Sequence, residues 1–282
     1  MSPKIFRKKI VMPLIETEWL EKNLDKVKII DCSWHMPQTK RDGCEEYKLQ
    51  HIPNAIFFDL DNNSKKNTNL PHMLVDKNDW EKIVSEMGIN KNDKIVVYDN
   101  SDVISSCRCW FNFIYFGHDP NLIHVLNGGL KKWLKEKREI TKDIPYIETS
   151  NYESFEKKEL VKDKSSINEN IKSKKFKVID ARSKDRFLGK VPEPRKGLRS
   201  GKIENSFCIP FNYCINENKT FKSKNELEKI FESCLGNINE KSIVFSCGSG
   251  VTACVLALAY SLINDKYQPS IYDGSWAEYG II

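Results

Sequence analysis

No apolar run in the sequence approaches the eighteen or more residues that a membrane-spanning helix requires, so a membrane is not an expected partner. Paired CxxC modules are absent as well. The nine cysteines are scattered among apolar stretches, with one residue between Cys107 and Cys109, and zinc-ribbon spacing is missing, which argues against a structural metal. An odd number of unpaired thiols fits a reducing compartment in which most are buried as small apolar side chains. Charge of one sign is lacking too. Charged residues make up 30% of the chain in mixed signs, the net charge is only +6, and no basic stripe interleaved with aromatics marks a nucleic-acid surface. The N-terminus is basic (Lys4, Arg7, Lys8, Lys9), but Ile10 to Ile15 is too short for a signal-peptide core and meets Glu16 at once. These absences leave a cytoplasmic protein as the simplest expectation, with a mitochondrial one as the alternative.

What is present is enough apolar material for real cores: 40% hydrophobic and 11% aromatic residues over 282 positions. That length exceeds one ordinary core and suits two domains of roughly 100–150 residues. The chain also repeats itself. Ile29-Ile30-Asp31 is echoed by Val178-Ile179-Asp180, and His51-Ile52-Pro53-Asn54-Ala55-Ile56-Phe57 by Lys202-Ile203-Glu204-Asn205-Ser206-Phe207. Ile95-Val96-Val97-Tyr98-Asp99 matches Ile243-Val244-Phe245-Ser246-Cys247, and Leu126-Asn127-Gly128-Gly129 with Trp133 matches Tyr272-Asp273-Gly274-Ser275 with Tyr279. The offsets are 149 (Asp31 to Asp180), 148 (Asp99 to Cys247) and 146 (Gly128 to Gly274). Four matches in order at nearly constant spacing indicate two copies of one domain.

Between the copies, Lys135 to Asp163 is rich in Lys, Glu, Ser and Thr and has no apolar periodicity. This places an N-terminal unit at residues 1–140, a linker at 141–163 and a C-terminal unit at 164–282. Short β-branched runs alternate with helical patterns, the clearest being Ser105 to Phe116 and Val251 to Asn264. The second sets Val251, Cys254, Val255, Leu258 and Leu262 on one face. The expected class is α/β, each copy a parallel sheet flanked by helices, with ligands beyond the carboxyl ends of the strands.

At that position the copies diverge. The first has Asp99-Asn100-Ser101-Asp102, the second Cys247-Gly248-Ser249-Gly250-Val251-Thr252-Ala253. A cysteine directly after a buried strand, followed by a Gly-rich turn into a helix, sits among backbone N–H groups at a helix N-terminus. The two glycines are expected to take positive φ and aim amides at one spot. An ordinary thiol, with a pKa of about 8.5, is only a few per cent ionised at neutral pH. About 2.7 kcal/mol of differential stabilisation would make thiolate the main form. Thiol phosphatases use a similar cradle but need C-x5-R, and Ala253 stands where that arginine would be.

The loop CGSGVTA, the segment DARSKDRFLGKVPEPR (Asp180 to Arg195) and the pair of runs FFDLD (Phe57 to Asp61) and LPHML (Leu70 to Leu74) together resemble the rhodanese superfamily. Within it they resemble the two-domain mercaptopyruvate sulfurtransferases, over essentially the whole chain from about Leu14 to Ile282. The resemblance implies two tandem rhodanese-like domains, with Cys247 as the sulfur-carrying nucleophile and Gly248, Gly250, Val251 and Thr252 in its loop. Thiosulfate-using relatives carry Arg-Lys after the cysteine, whereas Gly248-Ser249 stands here. It further implies that Arg186 and Arg195 grip a substrate carboxylate and keto oxygen, a task that suits the guanidinium fork. Ser249, His72 and Asp61 complete the group, histidine moving a proton near neutrality and aspartate orienting it. Asp59 is the rival to Asp61, and Arg182 and Arg199 are left as structural or solvated.

The first copy keeps a Ser-x-x-Arg-x-Trp skeleton (Ser105, Arg108, Trp110) but has cysteines at 107 and 109, and Asp102 is expected near the cleft. With Asp99 in place of the cysteine, that copy is expected to be inert and to wall the site. The implied reaction moves the sulfur of 3-mercaptopyruvate through a Cys247 persulfide to a thiol acceptor such as thioredoxin, or to cyanide, with no cofactor. The alternatives are a thiosulfate sulfurtransferase and a non-enzymatic redox or binding module of the same fold.

Overall fold

The structure, a computed structural model, describes residues 12–236 and 242–282; the basic residues at 4–9 and Ile10 lie outside the described residues. The strands of the first half are β1 (Leu14–Ile15), β2 (Lys28–Asp31), β3 (Ala55–Phe57), β4 (Ile95–Tyr98) and β5 (Ile123–Leu126). Those of the second are β6 (Val161–Lys162), β7 (Lys177–Asp180), β8 (Phe207–Cys208), β9 (Ile243–Ser246) and β10 (Ile271–Tyr272). The helices of the first half are α1 (Thr17–Glu21), α2 (Gly43–Leu49), α3 (Lys77–Glu86), α4 (Ser106–Tyr115) and α5 (Gly129–Lys135). Those of the second are α6 (Lys164–Ser173), α7 (Lys184–Phe187), α8 (Lys224–Leu235), α9 (Val251–Ser261) and α10 (Ser275–Tyr279).

The duplication read from the sequence is a duplication of topology. One sheet runs β1-β5-β4-β2-β3, the other β6-β10-β9-β7-β8, and every pairing is parallel. The central strands β4 and β9 bury all four of their residues, as expected for strands covered on both faces. Cys247 follows the central strand of the second sheet, where β9 turns into α9. No helix among the described residues is long and apolar enough to cross a membrane.

Helix α9 is buried well beyond the face that holds Val251, Cys254, Val255 and Leu258. Val251 and every residue from Ala253 to Tyr260 are buried, and α4 of the other half is buried along its whole length. The two helices pack on each other as well as on their own sheets, so neither keeps a solvent face. Cys107, Cys109 and Cys254 are among these buried thiols, and no cysteine is in a disulfide.

The 141–163 segment is a strap along the first half. Thr141 and His51 exchange backbone hydrogen bonds of 2.8 and 2.9 Å, Ser150 donates to the Ser85 carbonyl, and Tyr152 is buried against the His118 ring. Its last residues include β6, an edge strand of the second sheet, so the second structural unit begins before residue 164.

The interface has near-twofold correspondence. Leu74 donates its backbone N–H to Asp273 Oδ2 at 2.9 Å, and Phe221, 147 positions on, donates to Asn127 Oδ1 at the same distance. Asp273 and Asn127 are the matched residues directly after β10 and β5.

Candidate active site

The cysteine turn is built by neighbours from its own half. The Cys247 N–H donates to Ser275 Oγ, 3.1 Å away, and Ser275 in turn donates to the Tyr272 carbonyl. Trp276 and Ala277, at the start of α10, donate their N–H groups to the carbonyls of Cys247 and Gly248. In a trans peptide the N–H of the next residue points opposite to its carbonyl. The amides of Gly248 and Ser249 are therefore turned away from α10. Only Gly250 has the expected positive φ, at 78°. Gly248 serves differently: a Cβ there would lie 3.2 Å from Arg186 Nη2 and 3.7 Å from Arg195 Nη1, so its bare backbone makes room for the two guanidinium groups.

The first half supplies the rest. His72 is buried, with Nδ1 3.0 Å from Ser249 Oγ and Nε2 3.0 Å from Asp61 Oδ1. A carboxylate only accepts, so Nε2 carries the proton and Nδ1 accepts from the Ser249 hydroxyl. Arg195 Nη2 reaches the same oxygen at 3.4 Å. The chain Asp61–His72–Ser249–Arg195 thus crosses the interface with consistent donor and acceptor directions. Asp61 is held at its other oxygen by Trp34 Nε1, 2.9 Å away, while the Trp34 ring meets His72 edge-on at 4.6 Å. Asp59, the rival, caps Asn62 instead.

Charge follows from these contacts. Burial pushes the His72 pKa below its usual value; Asp61 opposes this, and Arg108 and Arg195 reinforce it. The hydrogen bond from His72 holds the Asp61 carboxyl low, although that side chain is 66% exposed and its pull on the imidazole is solvent-screened. Burial lowers the pKa of Arg195, and nearby Cys247 raises it.

The two arginines differ in their partners. Arg186 donates Nε and Nη2 to Glu193, whose nearly buried carboxylate also takes Arg182 Nη1 at 2.8 Å. Arg182 is itself sunk against Asp180 and the Trp276 ring, which makes it structural. Arg199 covers Trp276 and Tyr279 and is structural too. Arg195 pairs with no carboxylate among the described residues. Together with Cys247, Gly248, Ser249, Val251 and Thr252, both Arg186 and Arg195 line a cleft of about 100 Å³ whose far wall is Trp34, Met36 and Val103 of the first half. A larger depression of about 780 Å³, between Lys28, Lys94 and residues 145–150, lies at the opposite end of the first sheet and contains neither cysteine nor histidine.

Asp102 does not enter this cleft. It is ion-paired with Lys131 at 2.7 Å and with Lys219 of the second half at 3.3 Å, which draws it to the opposite side of the interface. Asp99 is buried at the position matching the cysteine, where it accepts from the N–H groups of Ser101 and Ser106. Trp34, Glu193 and Ser275 were given no role from sequence. Glu193 lies inside the segment containing both arginines, and Ser275 lies in the last repeat match, so position was the only signal for either.

The rhodanese-like domain family matches this chain twice, over residues 16–136 and 163–281. The thiosulfate/3-mercaptopyruvate sulfurtransferase 1, mitochondrial, of Arabidopsis thaliana is 38% identical, with 95% of this chain and 76% of that protein aligned. The 3-mercaptopyruvate sulfurtransferase of Mus musculus is 32% identical over 99% of this chain and 93% of its own. Among solved structures, SseA of Escherichia coli, described as a 3-mercaptopyruvate sulfotransferase with the rhodanese fold, superposes with a TM-score of 0.83 at 28% identity, covering 95% of this chain and all of that one. With two matched domains, two sheets of one topology and relatives similar along their length, the chain belongs to the rhodanese family.

Proposed function

We propose that the protein is a sulfurtransferase that takes sulfur from 3-mercaptopyruvate onto Cys247. The observation that carries this reading is the chain Asp61–His72–Ser249–Arg195, drawn from both halves and ending at the cysteine loop. Arg195, which pairs with no carboxylate among the described residues, takes the donor carboxylate, and Arg186 takes the keto oxygen. Fixing both ends turns a bimolecular attack into an oriented one.

The Cys247 thiolate attacks the donor sulfur while the carbon–sulfur bond breaks toward the ketone. The electron pair leaves as the enolate of pyruvate. The donor's thiol proton passes through Ser249 and His72 to the enolate carbon, giving pyruvate and a Cys247 persulfide anion, so protons and charge balance. The amides of Gly248 and Ser249, which α10 leaves unused, are the donors that stabilise the anionic sulfur in this reading. A thiol such as thioredoxin, or cyanide, then removes the outer sulfur and regenerates the thiolate; such covalent relay gives ping-pong kinetics. Asp99, occupied by two amides, leaves the first half without chemistry of its own. The uncharged Gly248-Ser249 pair and the apolar wall of Trp34, Met36 and Val103 favour a carbon-bearing donor over thiosulfate. Unpaired thiols throughout are consistent with a reducing compartment, and we place the protein in the cytoplasm.

The test is intact mass after mixing with 3-mercaptopyruvate. The wild type gains one sulfur and releases pyruvate, while Cys247→Ser gains none. A higher kcat/KM for thiosulfate than for 3-mercaptopyruvate overturns the choice of donor, and no sulfur gain from either donor overturns the reading altogether.

A further inference from the structure

Cys247 is only 2% exposed, so a protein that collects its sulfur must seat a thiol at the mouth of the cleft. Exposed Pro37, Gln38 and Pro194 line the cleft and mark that mouth. Its second-half rim is the stretch 182–202, which has eight cations and two carboxylates. Arg186 and Arg195 face the donor, and Arg182 and Arg199 are used inside the fold. Lys184, Lys190, Lys196 and Lys202 are left over: all four are exposed, and none pairs with a carboxylate among the described residues. Lys184 and Lys202 instead sit over the rings of Tyr213 and Phe187, at 5.5 and 5.0 Å.

The first half provides an internal control. Residues 33–51 are the matching stretch, from two positions past the strand's aspartate to the Ile-x-Asn repeat, and they carry three cations against three carboxylates. The surplus of six positive charges in 182–202 equals the net charge of the whole chain and belongs only to the half with the nucleophile.

Apolar surface accompanies the charge. Leu188 is 52% exposed, one helical turn after Lys184 and so on the same side of α7, and Val191 and Tyr213 are exposed as well. The loop that presents them is held firmly. Glu193, between Pro192 and Pro194, is anchored by Arg182 and Arg186, and Ser200 donates to the Val191 carbonyl at 3.3 Å. Exposed apolar groups on a fixed loop lose little conformational freedom when covered, which suits a binding surface.

We propose that the rim from Lys184 to Lys202 is the docking surface for the sulfur acceptor, a protein with an acidic surface around an accessible thiol. The lysines steer the acidic partner to the mouth, and Leu188, Val191 and Tyr213 supply the apolar contact. The docked thiol attacks the outer sulfur of the persulfide anion and the bond to Cys247 breaks. Cys247 leaves as thiolate, and the acceptor's proton ends on the transferred sulfur. This rests on the functional reading above and names the kind of acceptor that site discharges to.

The experiment follows pyruvate release from 3-mercaptopyruvate with reduced thioredoxin as the acidic acceptor and, in parallel, with dithiothreitol. Charge reversal at two exposed positions, Lys184→Glu with Lys190→Glu, should raise KM for thioredoxin about tenfold at low salt, because rim charges act on encounter. Added salt should raise the wild-type KM for thioredoxin and narrow that gap. Leu188→Ser should raise it several-fold at any salt. With dithiothreitol all variants should stay within about twofold of wild type, since a small thiol enters the cleft without docking. An unchanged KM for thioredoxin in the charge-reversed variant overturns the proposal, as does a wild type that discharges to dithiothreitol but not to thioredoxin. Co-sedimentation of the wild type, but not of the charge-reversed variant, with phosphatidylserine vesicles would assign the rim to a membrane and overturns it too. Absence of pyruvate release with either acceptor is a failure of the functional reading instead.

Discussion

His72 Nδ1 and Ser249 Oγ stand 3.0 Å apart although 177 residues separate them in the chain, so the proton path exists only when the two halves are docked. Replacing His72 by Gln keeps size and hydrogen bonding but removes the base. General acid–base groups typically contribute 10²–10⁴-fold. Turnover of 3-mercaptopyruvate should therefore fall by about 10²-fold, with alkylation of Cys247 in the absence of donor changed only a few-fold. Stopped-flow pyruvate release and iodoacetamide labelling check the two parts. Equal losses in both would show that the substitution damages the loop instead.

The pH dependence follows from burial of the same ring. His72 is held below its ordinary pKa of 6.5 by burial and by the charges of Arg108 and Arg195, against the pull of Asp61. The neutral form accepts the proton, so the acid limb of kcat/KM should lie below pH 6.5. Asp61→Asn removes the opposing charge and should move that limb lower still, at reduced maximal rate. The stability contribution has the matching sign. Because the folded state disfavours the protonated ring, stability is retained above pH 6.5 and is lost as pH falls from there through the folded pKa. Proton NMR titration of the His72 ring would read the pKa directly, and a value at or above 6.5 contradicts the assignment.

The strands, the duplication and the cysteine turn were legible in the sequence because each is local: a β-branched run, a constant offset, a Gly-rich stop after a strand. The all-round burial of α9 was legible too, since VTACVLALAYS has no charged residue on any face, but periodicity drew attention to one stripe of it. What was not legible depends on docking. Arg108 finds Asp273 across 165 positions, and nothing in α4's own pattern says that its one cation points into the other half. Glu193 likewise looks solvated between prolines until Arg182 and Arg186 converge on it.

Glu193 gives a prediction that separates binding from chemistry. Its carboxylate receives two nitrogens of Arg186 and one of Arg182. Glu193→Gln keeps the shape but removes the charge, leaving Arg186 free to wander and one buried cation under-neutralised. Losing one member of a buried ionic cluster costs about 3 kcal/mol, so the melting temperature should drop clearly. Because Arg186 orients the donor and moves no proton, KM for 3-mercaptopyruvate should rise about tenfold with kcat within about twofold. A fall in kcat at unchanged KM would show that Glu193 acts on the chemical step.

The two loop glycines should respond in opposite ways to the same added methyl group. At Gly248 the methyl meets only the ends of Arg186 and Arg195, at 3.2 and 3.7 Å, and flexible guanidinium groups can give way. Gly248→Ala should therefore fold normally, with a melting temperature within a few degrees of wild type, and should raise KM several-fold by displacing the arginines. At Gly250 the methyl falls 2.6 Å from Arg108 Nη1, which is buried and paired with Asp273 Oδ1 at 2.7 Å, and the backbone sits at φ 78°. A left-handed alanine alone costs about 1–2 kcal/mol before any clash is counted. Gly250→Ala should thus lose several degrees of melting temperature and most of its kcat, as Arg108 and the start of α9 are pushed apart. Calorimetry with steady-state kinetics on both variants decides it. A Gly250→Ala protein as stable and active as Gly248→Ala would show that the arginine is not held where the structure places it.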